Sequence, residues 1–313
     1  MMKFIKINKI TMAGFSLGTL TTYTSQISDV FVKSVLPETL FNSVDIMQNV
    51  KYKTAINLLG KTLQLQNTAC GMTPTGTTEL YQRVLEVCEI SAFDKFCMTD
   101  LNQYWTNEKL SPGSNITDLD WFSSVYLEDL AGRISVETQK IAWQGNTDTG
   151  VNNLALCDGF VYILSGETTR VHSATGTTAT PAGVVAWINA MILTIPAEIA
   201  GNPLNIYLSH TLYNAWVMGW AAAYPYGYSP MQTNNSTTHP FYSNITFSPQ
   251  SGLEGTSYIF IGEKRNFVYG TDLKDENSKV EVVYNPFDKY IYTTVNWKQG
   301  AQVRWPDQIV TNF

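Results

Sequence analysis

The sequence predicts an α+β chain. Three observations carry the prediction: alternation of apolar and polar residues over 50–66, a long helical periodicity over 117–144, and a return to strand-like alternation in the last third. Strand and helix signals are grouped along the chain, and no internal repeat is present.

Residues 13–35 mix Thr, Ser and apolar side chains without a firm period. They read as an extended arm, with Val30, Phe31 and Val35 on a short helix that ends before Pro37. From residue 50 the chain alternates: Tyr52, Thr54, Ile56 and Leu58 fall on one side, then Leu63 and Leu65 on another after Gly60. Residues 67–78 hold Gly71, Pro74 and Gly76 among threonines, the composition of a loop tip. Residues 79–98 return as strand through Leu80, Val84, Val87, Cys88 and Ile90. The whole of 50–98 is expected as one long β excursion.

The clearest helix follows. Leu119, Phe122, Tyr126, Leu130, Ile134 and Ile141 recur at three-, four- and seven-residue steps and share one face. Thr117 and Asp120 have capping-box spacing, Asp118 and Asp120 suit the N-terminal dipole, and Lys140 suits the C-terminal one. Gly145 is expected to stop the helix as a C-cap glycine. A helix over 117–144 is a rod of roughly 40 Å.

Residues 146–180 are turn-rich, with a strand expected near Phe160–Leu164. Thr180-Pro181 opens a second helix with proline at its first position, and Val184, Trp187, Ile188, Met191, Ile192 and Ile195 form its face. Asn205–Leu208 is a short buried strand. Ser209 caps a third helix, to about Ala223, that carries Leu212, Trp216 and Trp220. Residues 224–245 are a Tyr/Pro/Asn loop. The final third is β: Tyr258–Ile261, then Val280 and Val282 alternating with Lys279 and Glu281, then Tyr290–Trp297 pairing back across Asn285-Pro286-Phe287-Asp288.

The chain has 313 residues, enough for one large or two moderate domains. Charged residues are 15% of it, below the ~25% of ordinary soluble domains. A lightly charged surface is one that subunit contacts can cover. A net charge of -6 without a basic stripe argues against a dedicated nucleic-acid reader, though not against a container whose wall lies near DNA. Cys70, Cys88, Cys97 and Cys157 form no Cys-x-x-Cys pair and have no histidine at ligand spacing, so reduced thiols are expected, with neither a zinc site nor a disulfide framework. No apolar run reaches the ~18 residues of a membrane span. Lys3, Lys6 and Lys9 precede a stretch, Ile10–Leu20, too interrupted for a signal peptide, and Met12-Ala13-Gly14 reads as an alternative start.

Two catalytic patterns occur. Gly14-Phe15-Ser16-Leu17-Gly18 fits a nucleophile elbow, but that turn needs a sheet already built before it, and His172, His210 and His239 carry no supporting signature. Residues 55–62 fit a loose P-loop, but Ile56, Leu58 and Leu59 are too bulky for a phosphate cradle and Thr62-Leu63-Gln64-Leu65 continues as strand. No catalytic, cofactor-binding or metal-ligating residue is assigned, no cofactor is expected, and the chain is read as a structural protein rather than an enzyme.

The order of parts is more specific than either motif: arm, long β excursion, long helix, Gln144-Gly145-Asn146 turn, helix-and-strand region, terminal strands. Leu156-Cys157-Asp158-Gly159-Phe160 and Asn202-Pro203-Leu204-Asn205-Ile206-Tyr207-Leu208-Ser209 add local detail. From about Phe31 to the end, this pattern resembles the major capsid protein of tailed bacteriophages, a fold shared with encapsulin nanocompartments. The resemblance implies an N-terminal arm over 1–49, an extended β loop over 50–103 and a peripheral domain over 104–165 and 273–313. The peripheral domain would contain the spine helix 117–144, and an axial domain would span 166–272.

It also implies a coat protein that assembles into hexamers and pentamers of an icosahedral shell around phage DNA. Such a protein is found in the virion and is assembled in the cytoplasm of the bacterial host. Separate scaffolding, portal and decoration proteins are its implied partners; residues 1–49 leave no room for a fused scaffold, and no membrane is involved. A two-stranded excursion is marginal alone. Leu63, Leu65, Leu80, Val84 and Val87 are therefore the candidate contacts to an adjacent subunit. Some family members crosslink a loop lysine to a neighbour's asparagine; Lys61 lies in the loop here, without identified partners. The alternatives are an encapsulin-type shell, a Thr/Asn/Tyr-rich adhesin (opposed by the long helix) and a serine hydrolase using Ser16.

Overall fold

The computed structural model describes residues 38–62, 65, 76–97, 119–173, 179–224, 237–272, 280–285, 287–288 and 290–313. The arm at 13–35, the Ser16 motif, most of the 67–78 tip, the Thr117 cap and residues 225–236 of the Tyr/Pro/Asn loop lie outside them.

The described chain opens with helix α1 (Glu38–Ser43), strand β1 (Asp45–Met47), the ten-residue strands β2 (Lys53–Thr62), β3 (Thr77–Glu86) and β4 (Cys88–Cys97), and helix α2 (Leu119–Gln144). Then come α3 (Phe160–Gly166), β5 (Val171–His172), α4 (Pro181–Leu193), β6 (Leu204–Leu208) and α5 (His210–Ala223). The rest is β: β7 (Ile245–Pro249), β8 (Phe260–Gly262), β9 (Phe267–Thr271), β10 (Val280–Asn285), β11 (Tyr290–Val303) and β12 (Val310–Thr311).

Two five-stranded sheets and one hairpin result. In the first sheet β11 is the common ladder. It pairs antiparallel with β10 over 290–295, with β4 over 290–299 and with β9 over 299–303, and β1 adds to β9 in parallel. The second sheet runs β5-β12-β8-β6-β7. The hairpin is β2–β3, in register from Lys53↔Glu86 to Thr62↔Thr77.

The expected β excursion is shorter than 50–98. Val87 divides it: β3 pairs with β2, but β4 leaves the hairpin and joins β11. Local sequence reads as one strand across Val87 because alternation carries no information about partners. The expected division at residues 165 and 272 is also crossed twice, since β9 belongs to the first sheet and β12 to the second.

Helix α2 spans 26 residues, and Ile134 and Ile141 lie buried on β4 and β11 with Ile90, Val295 and Trp297. Its end differs from expectation in mechanism. Gly145 does not adopt a left-handed backbone; the Cys157 carbonyl oxygen lies 2.0 Å from where its Cβ would stand, so glycine is needed for close approach. Trp143, in the last turn, is fully buried with ring centroids of Phe160, Tyr207, Phe260 and Phe267 5.0, 5.3, 5.6 and 6.0 Å away. It joins the helix end to both sheets.

Phe160–Leu164 is helix, not strand. Phe160 and Leu164 are its buried pair, four apart, and Gly159 sits against the end of α2, donating its N–H to the Gly145 carbonyl at 2.9 Å. The two capped helices form where the sequence places them. The Thr180 side chain accepts from Gly183 N–H with Pro181 at the first position, and Ser209 accepts from Leu212 N–H. Their apolar faces, with Trp187, Ile188, Trp216 and Trp220, pack on β6, β7 and β8 as the largest core cluster.

Cys88 and Cys157 form a disulfide, contrary to the expectation of reduced thiols. Their separation of 69 residues gives no sequence signal, and only the packing of β4 beside α2 brings them together.

Candidate assembly surface

The β2–β3 hairpin has two unlike faces. Thr54, Ile56 and Leu58 share one with Leu85, Arg83 and Tyr81, because opposite residues in the register point the same way. Ile56, Leu58 and Leu85 are buried against Val50, Val87 and Val268 of the same chain. The Tyr81 ring stands edge-on to Trp305 at 5.9 Å, and Arg83 pairs with Glu167 just past α3. The hairpin is thus seated on its own subunit by this face.

The other face carries Ala55, Asn57, Leu59 and Lys61 opposite Val84, Gln82, Leu80 and Thr78. Leu59 and Leu80 are direct cross-strand partners and both are exposed, Leu80 by 82%; Val84 is exposed beside them. Asn57 and Gln82 hydrogen-bond at 3.1 Å between the apolar pairs. Ten residues of strand extend about 34 Å, and along them the apolar pairs Ala55–Val84 and Leu59–Leu80 are separated by the polar pair Asn57–Gln82.

The predicted contact residues fall into three groups. Leu80 and Val84 lie on the outward row, and Leu65, 87% exposed, follows β2 toward the tip. Val87 is only 4% exposed and packs in its own subunit's core, with a methyl 3.1 Å from the Cβ position of Gly270. It is therefore withdrawn as an inter-subunit contact: its N–H donates to the Tyr52 carbonyl and closes the hairpin root. Leu63 lies outside the described residues. Leu59 was missed, because Leu58-Leu59 in sequence does not reveal which leucine faces out.

Charged groups flank the row. Lys53 and Glu86 pair at 2.8 Å at the root, and this hydrogen bond raises the Lys53 pKa above its ordinary value. Tyr81 donates to Glu79, and the carboxylate raises the phenol pKa. Lys61 is exposed on the outward face opposite Thr78.

The motifs considered for catalysis do not assemble. Residues 55–62 are strand, paired throughout with β3, so their backbone N–H groups do not converge on a phosphate. His239 is buried among Trp216, Trp220, Tyr242 and Phe247, and that burial lowers its pKa to about 4. His172 lies 3.0 Å from the Phe313 carbonyl oxygen and His210 lies 3.4 Å from Ser251 Oγ. Among the described residues no cluster of His, Cys, Asp and Glu is arranged to hold a metal ion, and no helix is long and apolar enough to cross a membrane.

No protein-family model matches the chain, and no curated protein matches it. Solved structures do. A chain of the satellite phage P4 procapsid with its size-determination protein matches with TM-score 0.56 and 13% identity, over 96% of this chain and 93% of that one. The capsid of a native GTA particle gives 0.55 and 11%, over 98% and 93%. A virus-like particle from Pyrococcus furiosus gives 0.54 and 6%, over 93% and 99%. Near-complete coverage of both partners at such low identity leaves the path of the backbone as the common property: the chain has the fold of tailed-phage capsid and virus-like-particle shell proteins.

Proposed function

We propose that the chain is a major capsid protein that assembles into hexamers and pentamers of an icosahedral shell around phage DNA. The observation that carries the reading is the fold, shared over almost the whole chain with procapsid and capsid subunits. The hairpin adds a physical reason for assembly. One face is anchored at home, and the other presents Leu59, Leu80 and Val84 to solvent, an apolar row that burial against a neighbouring copy would stabilise.

In this reading the hairpin is the extended loop laid over an adjacent subunit, and α2 is the spine helix of a peripheral domain built on the first sheet. The second sheet with α4 and α5 forms the axial domain. Shell closure needs two different surfaces per subunit, related by rotation. Scaffolding, portal and decoration proteins are partners of the same proposal, and the virion is its location.

The test is negative-stain electron microscopy of the expressed chain beside a sizing column. Closed particles, tubes or rings of six are expected. A monodisperse 35.0 kDa monomer at high concentration, with or without a co-expressed scaffold, would overturn the proposal. Nucleic acid inside the particles, rather than a protein cargo, separates a capsid from an encapsulin-type shell.

A further inference from the structure

We propose that Cys88 and Cys157 form a redox staple that closes after the assembled shell leaves the cytoplasm, fixing the root of the hairpin to the end of the long helix. The timing rests on the capsid reading; the effect rests on geometry alone.

Cys88 opens β4, one residue beyond Val87, whose N–H donates to the Tyr52 carbonyl at 2.9 Å and closes the hairpin. Cys157 lies in the segment packed under the last turn of α2. Its carbonyl occupies the space beside Gly145, and two residues on, Gly159 donates to the Gly145 carbonyl. Both cysteines belong to the cluster of Ile90, Ile134, Ile141 and Trp297. Their Cα atoms are 5.8 Å apart, inside the ordinary disulfide range. The bond lies within one subunit, so its closing requires no new subunit contact.

A bacterial cytoplasm keeps such thiols reduced. Outside it, a low-molecular-weight disulfide is a sufficient oxidant. Cys88 is half-buried and Cys157 buried, so Cys88 is the thiol that reagents reach. Its thiolate attacks one sulfur of the reagent, forming a mixed disulfide and releasing one small thiolate. The Cys157 thiolate then attacks Cys88 Sγ, forming the protein disulfide and releasing the second. Two protein thiols are oxidised, one small disulfide is reduced to two thiols, and the two protons pass to the leaving groups.

In the dithiol state the hairpin root is held to the helix end by packing and hydrogen bonds. In the disulfide state the two are one covalent body. The staple therefore tightens the hairpin without participating in the contacts that build the shell.

The experiment uses full-length chain from a reducing bacterial cytoplasm. Thiols are alkylated at lysis in one half, and after incubation of the particles with oxidised glutathione in the other. Peptide mapping then follows Cys88 and Cys157. Both are expected alkylated at lysis and linked to each other after oxidation. Tryptic cleavage at Lys53, Lys61 and Arg83 is expected to slow at least several-fold on oxidation and to recover with dithiothreitol. The Cys88→Ser/Cys157→Ser variant is expected to form particles of normal size whose cleavage no longer responds to oxidant. A Cys88–Cys157 link already complete at lysis, no link after oxidation, or cleavage indifferent to redox state in the wild-type chain each overturn the proposal. If no particles form, the capsid reading fails, while mapping and cleavage of the soluble chain still decide whether the staple forms and tightens the hairpin.

Discussion

Gly270 and Gly300 stand directly opposite each other across β9 and β11, and the root of the hairpin crosses the sheet over this pair. A Cβ on Gly300 would lie 2.1 Å from the Glu86 carbonyl oxygen, and one on Gly270 would lie 2.8 Å from a methyl of Leu85. The two contacts differ in kind, since one meets fixed backbone and the other the far end of a side chain that can turn.

The first prediction follows from that difference. Gly300→Ala is expected to destabilise the subunit more than Gly270→Ala, within an overpacking range of about 1–3 kcal/mol. Urea unfolding of the two purified variants checks the order, and equal or reversed costs would refute it.

The two sides of the hairpin are expected to respond oppositely to substitution. Leu80→Glu should change subunit stability by no more than about 0.5 kcal/mol, as ordinary exposed positions do, yet abolish particle formation. Val87→Ala should cost the subunit roughly 1–3 kcal/mol through its packing on Gly270 and Val268. Thermal melting and electron microscopy of both variants separate the effects.

Ser209→Ala removes the acceptor of the Leu212 N–H at the start of α5. The expected loss is about 1 kcal/mol, and Ser209→Asp, which places a carboxylate where water is excluded, should not restore it. Because Ser209 and Leu212 are both buried, water cannot take over the bond. Thr180→Ala, at the exposed start of α4, should cost less. Denaturation midpoints of the three variants give the comparison.

His239 is expected to make stability fall as pH falls. Burial among aromatic rings depresses its folded pKa from 6.5 to about 4. Above pH 6.5 both folded and unfolded states hold it neutral, and its contribution is fully present. Between 6.5 and about 4 the unfolded state binds the proton first, so up to roughly 3 kcal/mol is lost across that window, and no more below it. Urea unfolding followed by tryptophan fluorescence reports on the neighbouring Trp216 and Trp220. The His239→Phe variant should lack this part of the pH dependence.

What the sequence disclosed and what it concealed divide along physical lines. Helices α4 and α5 were legible because their ends are set by local chemistry: Thr180 before Pro181, and Ser209 before an apolar face. Strand β9 was not, because all five of its residues are buried and nothing alternates. Phe160–Leu164 is an unbroken run of aromatic, β-branched and aliphatic residues that suits a strand as well as a helix, while the burial that decides the matter links positions 160 and 164. The outward row was half legible. Leu80 and Val84, four apart, fall on one side of an alternating strand, whereas nothing local says which of Leu58 and Leu59 faces out, and Val87 is indistinguishable from them until its place over Gly270 is seen. The Cys88–Cys157 bond was illegible for the same reason as the β3–β4 division, since both depend on which strands become neighbours.

The ladder on β11 sets the timetable of synthesis. Strands β1 and β4 leave the ribosome early, but their partners are β9 and β11, more than 190 residues later in the chain. Until about residue 303 has emerged, the first sheet cannot be completed, and Ile90 and the apolar face of α2 lack Val295 and Trp297 of β11. Folding of this half is therefore largely post-translational and dominated by distant contacts, the slow and aggregation-exposed regime. Under the proposed function, a chain still being made carries its hairpin without Val268 and Trp305 to seat it, so the order in which the strands are made disfavours joining of incomplete chains.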